Sequence, residues 1–166
     1  MRKKKERERR ERAQQYAISR ATAYHEAGHV VFAALKGMGV EVVTIDPQRV
    51  KELTGSEFPG YTRYVQTGLA EADIVLCSTA VGLTSEALFV TGGRVSGQED
   101  DIRRLDEILE QQMGLQGLEK HRELDRIRLL TQQFVTDNRS AIETIAKALL
   151  EKKTLSGDDV RRALSE

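Results

Sequence analysis

The 166-residue sequence predicts a mainly α fold of the α+β class, a helical bundle with a small antiparallel sheet beside one histidine-bearing helix. Three observations point there. From about Leu69 onward every segment carries helical periodicity or a helix start signal. Only two stretches read as strands, Val40–Ile45 and Tyr61–Val65. Composition agrees: 31% charged residues, 39% hydrophobic, 5% aromatic and no Trp suit a helix-rich chain with one core.

Residues 1–12 form a charged arm, with eight basic side chains against three acidic ones, a local charge of +5. Net charge over the whole chain is zero, so the remainder carries −5 and the molecule offers no general attraction to nucleic acid or a membrane surface. The arm's interleaved Glu residues and lack of aromatics favour a solvated helical extension over a nucleic-acid-binding one. Residues 13–166 read as a single domain. Its first helix runs from about Arg12 to Leu35 and stops at Gly37 or Gly39.

The β-branched run Val40–Ile45, closed by Asp46-Pro47, predicts a strand that is either an exposed edge or an inner member of the sheet. A polar loop is expected from Gln48 to Phe58, then a turn at Pro59-Gly60 and the alternating strand Tyr61–Val65. Ala70 to Val90 reads as a central buried helix ending at Gly92-Gly93. Ser96-Gly97-Gln98-Glu99 is a capping box opening an acidic helix through Leu109, which Gly114 and Gly117 break. Further helices are expected from Leu118 to about Thr136, after a second capping box at Ser140–Glu143, and from Ser156. Cys77, the lone cysteine, lies in an apolar run and excludes an internal disulfide, which suits a reducing, cytoplasmic setting. No stretch offers the ~20 apolar residues that a membrane span needs.

The chemistry concentrates in His25-Glu26-Ala27-Gly28-His29. Residues four apart share a helix face, so His25 and His29 can offer two imidazole nitrogens to one metal ion. Glu26 lies beside them, near enough to act as a base without being a ligand. The competing reading is a buried helix that happens to carry two histidines. Zinc needs about three protein ligands and one open position. Six residues beyond His29 stands Leu35, which excludes the arrangement with a third histidine on the same run. The remaining candidates are Glu86, Asp101 and His121. Charged neighbours make His121 an exposed helix residue, and the residues alone leave Glu86 and Asp101 open.

The run Thr22-Ala-Tyr-His-Glu-Ala-Gly-His-Val-Val31 resembles the zinc-binding helix of the FtsH family, membrane-anchored AAA+ zinc proteases. Val43–Pro47 with Gly60-Tyr61-Thr62, Ser96–Ile102 and Asn138–Leu155 are similar to further stretches of that family's peptidase domain, in the same order. The resemblance covers most of residues 20–164. It implies His25 and His29 as zinc ligands, Glu26 as catalytic glutamate and Asp101 as third ligand, with Glu86 in a supporting place behind them. At Val81–Ala87 the family's arginine and one of its glutamates are missing. The resemblance extends to the peptidase part alone, since neither a membrane span nor a phosphate-binding G-x-x-x-x-G-K-S/T loop is present in these residues.

The resemblance further implies a soluble, cytoplasmic zinc endopeptidase acting on peptides or unfolded proteins, independent of ATP by itself. A homo-oligomer or a separate ATPase is the implied partner, and nucleic acid is not. Two other classes remain: a catalytically silent relative whose zinc is structural, and an H-E-x-x-H peptidase that cleaves a repressor-type partner.

Overall fold

The computed structural model describes residues 2–65, 72–90 and 98–165. Among these are seven α-helices and a three-stranded antiparallel sheet, as the α+β expectation requires. Helix α1 runs without a break from Arg2 to Leu35. Its first half stands in solvent, supported by the i,i+4 pairs Arg7–Glu11 and Glu6–Arg10. Its second half is the axis of the core. Ala21, Ala23, Ala27, Val30, Val31 and Ala33 are completely buried, and small side chains there let neighbouring helices approach closely. Gly37, with φ of 72°, ends the helix in the left-handed region.

Strand β1 (Gly39–Thr44) follows, with a bulge at Glu41. Sheet order is β2-β1-β3, so β1 is the inner strand and not an edge. Residues Gln48–Phe58 are not simply a loop. Pro47–Thr54 forms the short helix α2, because Asp46 accepts the backbone N–H of Gln48 at 3.0 Å and Pro47 occupies the first turn. Strand β2 (Tyr61–Val65) pairs with β1, Thr62 facing Val43 and Tyr64 facing Val40.

Helix α3 (Ala72–Phe89) is the expected central helix, packed along α1. Helix α4 (Gln98–Glu107) passes into a π-helical turn at Ile108–Gln112, and Gly114 at φ 69° ends it. The capping box at Ser96 and the stop at Gly92-Gly93 lie outside the described residues. Helix α5 (Gly117–Asp137) and helix α6 (Arg139–Lys152) complete the bundle. Ser140 does not cap α6. The helix already begins at Arg139, and Glu143 instead accepts from Arg139 Nε at 3.3 Å.

Lys153, at φ 66°, turns the chain from α6 onto β1, where Thr154–Ser156 adds a third strand, β3, that no sequence pattern announced. Helix α7 (Gly157–Ser165) starts as expected: Ser156 Oγ accepts the Asp159 N–H while Asp159 accepts the Ser156 N–H.

Two apolar clusters result. The larger joins α1, α3, α6 and the sheet, with Tyr24 stacked on Phe89 at 4.7 Å and Phe32 edge-on to Phe134 at 5.0 Å. The smaller joins α3, α4 and α5 through Leu76, Leu105, Leu109 and Ile127. The α1–α3 contact is close. A Cβ on Gly28 would stand 2.7 Å from Ser85 Cβ and 2.9 Å from the Val81 carbonyl. Across the same seam Ser85 donates its hydroxyl to the Tyr24 carbonyl at 2.6 Å.

Gly28→Ala should therefore destabilise the fold, since overpacking costs roughly 1–3 kcal/mol and exceeds the ~1 kcal/mol that Ala gains in helix propensity. Urea unfolding should show a net loss of about 1 kcal/mol, and a larger one for Gly28→Val.

Candidate metal centre

The candidate residues arrive from three helices. α1 presents His25 and His29 toward α3 and Glu26 toward β2, and all three are under 10% exposed. α3 contributes Glu86, Gly82 and the Ser78 carbonyl. α4 brings Asp101 in its first turn, where a carboxylate is also favoured by the helix dipole.

His29 Nδ1 lies 2.8 Å from the Ser78 carbonyl oxygen. That oxygen can only accept, so Nδ1 carries the proton and Nε2 holds a lone pair. His25 Nδ1 faces Glu86 Oε2 at 3.3 Å, which likewise turns its Nε2 to the other side. The two Nε2 atoms stand 3.1 Å apart. Asp101 Oδ2 is 2.9 Å from one and 3.4 Å from the other. One ligand atom from each of His25, His29 and Asp101 falls within 4.8 Å of the rest.

Electron pairs meeting in a buried place need a cation between them. The donor set, two imidazoles and a carboxylate, suits a divalent ion of the zinc type. Two more observations fit. Asp101 Oδ2, the oxygen beside the two Nε2 atoms, is buried without a hydrogen-bond partner. Gly82 leaves open the space beside the nitrogens: a Cβ there would press against His29 Nε2 and lie 2.7 Å from His25 Nε2.

Without a metal, a proton must serve instead. Burial pushes His25 toward its neutral form, but the Asp101 and Glu86 carboxylates and the nearby Glu26 charge outweigh it and raise its pKa to about 10. Burial likewise opposes ionisation of Asp101, and His25 and His29 overcome it, holding the carboxyl well below its usual range.

Of the three candidates for a third ligand, the structure brings Asp101 to the nitrogens. Glu86 is fully buried behind the His25 ring, at the nitrogen that faces away from the pair. His121 is exposed on α5, 3.9 Å from Asp125, and outside the cluster. Glu26 stands beside the group without joining it. Its Oε2 accepts the Thr62 hydroxyl at 2.5 Å, and the Gly60 backbone abuts its Oε1.

Sequence reasoning missed these β2 contacts, together with Gly82 and Tyr64. Tyr64 shares the inward face of β2 with Thr62. Burial first, then the charges of Glu26 and Asp101, keep its hydroxyl protonated. The alternation Thr62-x-Tyr64 was the available signal, because a strand packed beside a helix must turn one of its two faces toward it.

Comparison with known proteins agrees with this geometry at a coarse level. The chain is 28% identical, over an alignment of 178 residues, to the ATP-dependent zinc metalloprotease FtsH 2 of Symbiobacterium thermophilum. The likeness is to an FtsH-type zinc metalloprotease. It covers 88% of this chain but 30% of that relative, so the chain spans less than a third of its length. No family model matches. At this identity the comparison points to a distant FtsH-like relationship, and with it to zinc and proteolysis in general terms.

Two outcomes test the centre. Gly82→Ala should weaken zinc binding about tenfold or more with helix content retained, as read by competition with a chromogenic chelator and by circular dichroism. Zinc uptake near pH 7 should release about one proton per chain. A raised pKa keeps the proton on His25 throughout the range below about 10, so apparent affinity falls as pH drops. Calorimetry in two buffers of different ionisation enthalpy reads the release directly.

Proposed function

We propose that residues 13–166 are a zinc-dependent endopeptidase domain, with residues 1–12 as a solvated arm. The observation that carries the reading is the convergence of His25 Nε2, His29 Nε2 and Asp101 Oδ2 with Glu26 alongside. Glu26 separates this from a structural zinc site, which has no use for a carboxylate at its margin that is not a ligand.

Held by His25, His29 and Asp101, zinc would supply Lewis acidity that polarises a substrate carbonyl and makes a water easier to deprotonate near neutral pH. Glu26 takes the proton from that water as it adds to the carbonyl carbon, then passes it to the leaving amine as the peptide bond breaks. Glu86 behind His25, and the Ser78 carbonyl behind His29, hold both rings with Nε2 toward the ion.

Strand β2 has no partner beyond it among the described residues. An extended peptide adding to that edge would run past Thr62, and so past Glu26. Such a substrate must already be extended. Unfolding a stable domain costs roughly 5–15 kcal/mol, and these 166 residues contain no phosphate-binding loop with which to couple ATP to that cost. Peptides and unfolded proteins are therefore the proposed substrates, with a separate ATPase or a ring of copies as the partner for folded ones. Among the described residues no helix is long and apolar enough to cross a membrane.

The reading expects one zinc per chain in the wild type and a loss of stoichiometric zinc in His25→Ala and His29→Ala, checked by elemental analysis. Glu26→Gln should keep the zinc yet lose at least ~10²-fold in turnover of an unstructured protein such as casein. ATP should change neither rate, and a stably folded protein should survive. Equal turnover in Glu26→Gln and wild type would remove Glu26 from the mechanism. Rapid ATP-independent degradation of the folded substrate would contradict the substrate class.

A further inference from the structure

We propose that Thr62 is a positioning residue for Glu26. Its hydroxyl fixes the rotation of the Glu26 carboxylate, so that the group meets a water beside the His25–His29–Asp101 cluster in one reproducible orientation. The inference rests on the proposed function and deepens it.

The need arises from the glutamate side chain itself. A helix restrains χ1 of Glu26, but its last torsion, between tetrahedral and planar carbons, is broad and has no well of its own. Ordering such a side chain costs rotamer freedom that α1 alone does not offset. Something outside α1 must therefore hold the carboxylate if it is to act as a base with a fixed geometry.

Strand β2 and the glycine just before it supply that hold from two sides. Thr62 Oγ1 donates to Oε2 at 2.5 Å, a short bond of the charge-assisted kind. Gly60 brings bare backbone against the other oxygen: a Cβ there would lie 2.6 Å from Oε1 and 2.8 Å from Cγ. The register of β2 on β1, with Thr62 opposite the fully buried Val43, sets where that hydroxyl stands. A carboxylate has about four acceptor positions, so accepting from Thr62 leaves others for the water. Thr62 bonds Glu26, which is not one of the three residues whose ligand atoms converge. Its effect should pass through Glu26 alone.

A merely structural Thr62, satisfying a buried carboxylate and no more, predicts different results. The test compares wild type, Thr62→Val, Thr62→Ser, Glu26→Gln and the double variant Thr62→Val/Glu26→Gln, all zinc-loaded. Thr62→Val keeps the shape of the side chain and removes the donor. It should retain one zinc per chain and lower kcat by roughly 10–10²-fold, the scale of a small misplacement, with KM changed by less than about twofold. Thr62→Ser restores the donor and should recover kcat to within about threefold. In the Glu26→Gln background Thr62→Val should cost no more than about twofold further.

Urea unfolding gives a readout that does not depend on activity. Thr62→Val should lower the midpoint in the wild-type background and leave it unchanged or raised in Glu26→Ala. Wild-type kcat in Thr62→Val overturns the proposal. Failure of Thr62→Ser to rescue, multiplying losses in the double variant, or equal midpoint shifts in both backgrounds overturn it as well. Should zinc-loaded wild type cleave nothing while the unfolding coupling is present, the peptidase reading is overturned and the clamp on Glu26 stands.

Discussion

Three electron pairs meeting in one buried place are the constraint on which the rest of this molecule depends. Two imidazole nitrogens 3.1 Å apart, each with its proton directed to the far side of its ring, would repel one another if nothing positive lay between them. A neighbouring carboxylate oxygen adds to the demand. The chain has gathered negative charge and lone pairs around this point from three helices. The gain in Coulomb energy offsets the desolvation only when a cation is present. A proton can fill that place in the metal-free chain, which is why His25 holds one so strongly. A divalent ion would fill it better, because it satisfies all three donors at once.

The fold is arranged to make that meeting tight. Gly28 and the alanines of α1 let α3 approach, with Ser85 tying the two helices together. Gly82, one residue beyond Val81 in that seam, is where α3 passes the imidazole pair without filling the space beside it. Both glycines sit inside helices, where glycine costs about 1 kcal/mol relative to alanine. Close approach and the open space account for that cost. On the other side of α1, strand β2 holds Glu26 in register through Thr62. The sheet fixes where the Glu26 carboxylate stands, and the helices bring His25, His29 and Asp101 together.

Much of this was legible in the residues. The i,i+4 histidines on an alanine-rich helix, the central apolar helix and the Ser156-x-x-Asp159 start were local signals, and each corresponds to an element of the structure. What escaped reading was non-local or too short for a pattern. β3 is three residues long and exists because Lys153 turns the chain onto β1. α2 looked polar and loop-like, though Asp46-Pro47 was its start signal. Strand Val40–Ile45 was open as edge or interior, and only pairing on both sides places it inside. For the third ligand, periodicity cannot say which of two helices turns a carboxylate toward the nitrogens. The answer depends on how α4 packs against α3. The same limit hid Thr62 and Gly82, whose roles are contacts between elements distant in sequence.

The central claim is that this cluster holds a zinc ion through His25, His29 and Asp101. The most direct test is a crystal structure of the zinc-loaded chain with anomalous diffraction measured on both sides of the zinc absorption edge. The account predicts one strong peak per chain, about 2.0–2.2 Å from both Nε2 atoms and from an Asp101 oxygen. It also predicts that Glu26 and Glu86 lie beyond bonding distance. A peak bonded to Glu86 or His121 with Asp101 remote, or no peak between the two histidines in zinc-saturated crystals, would contradict it.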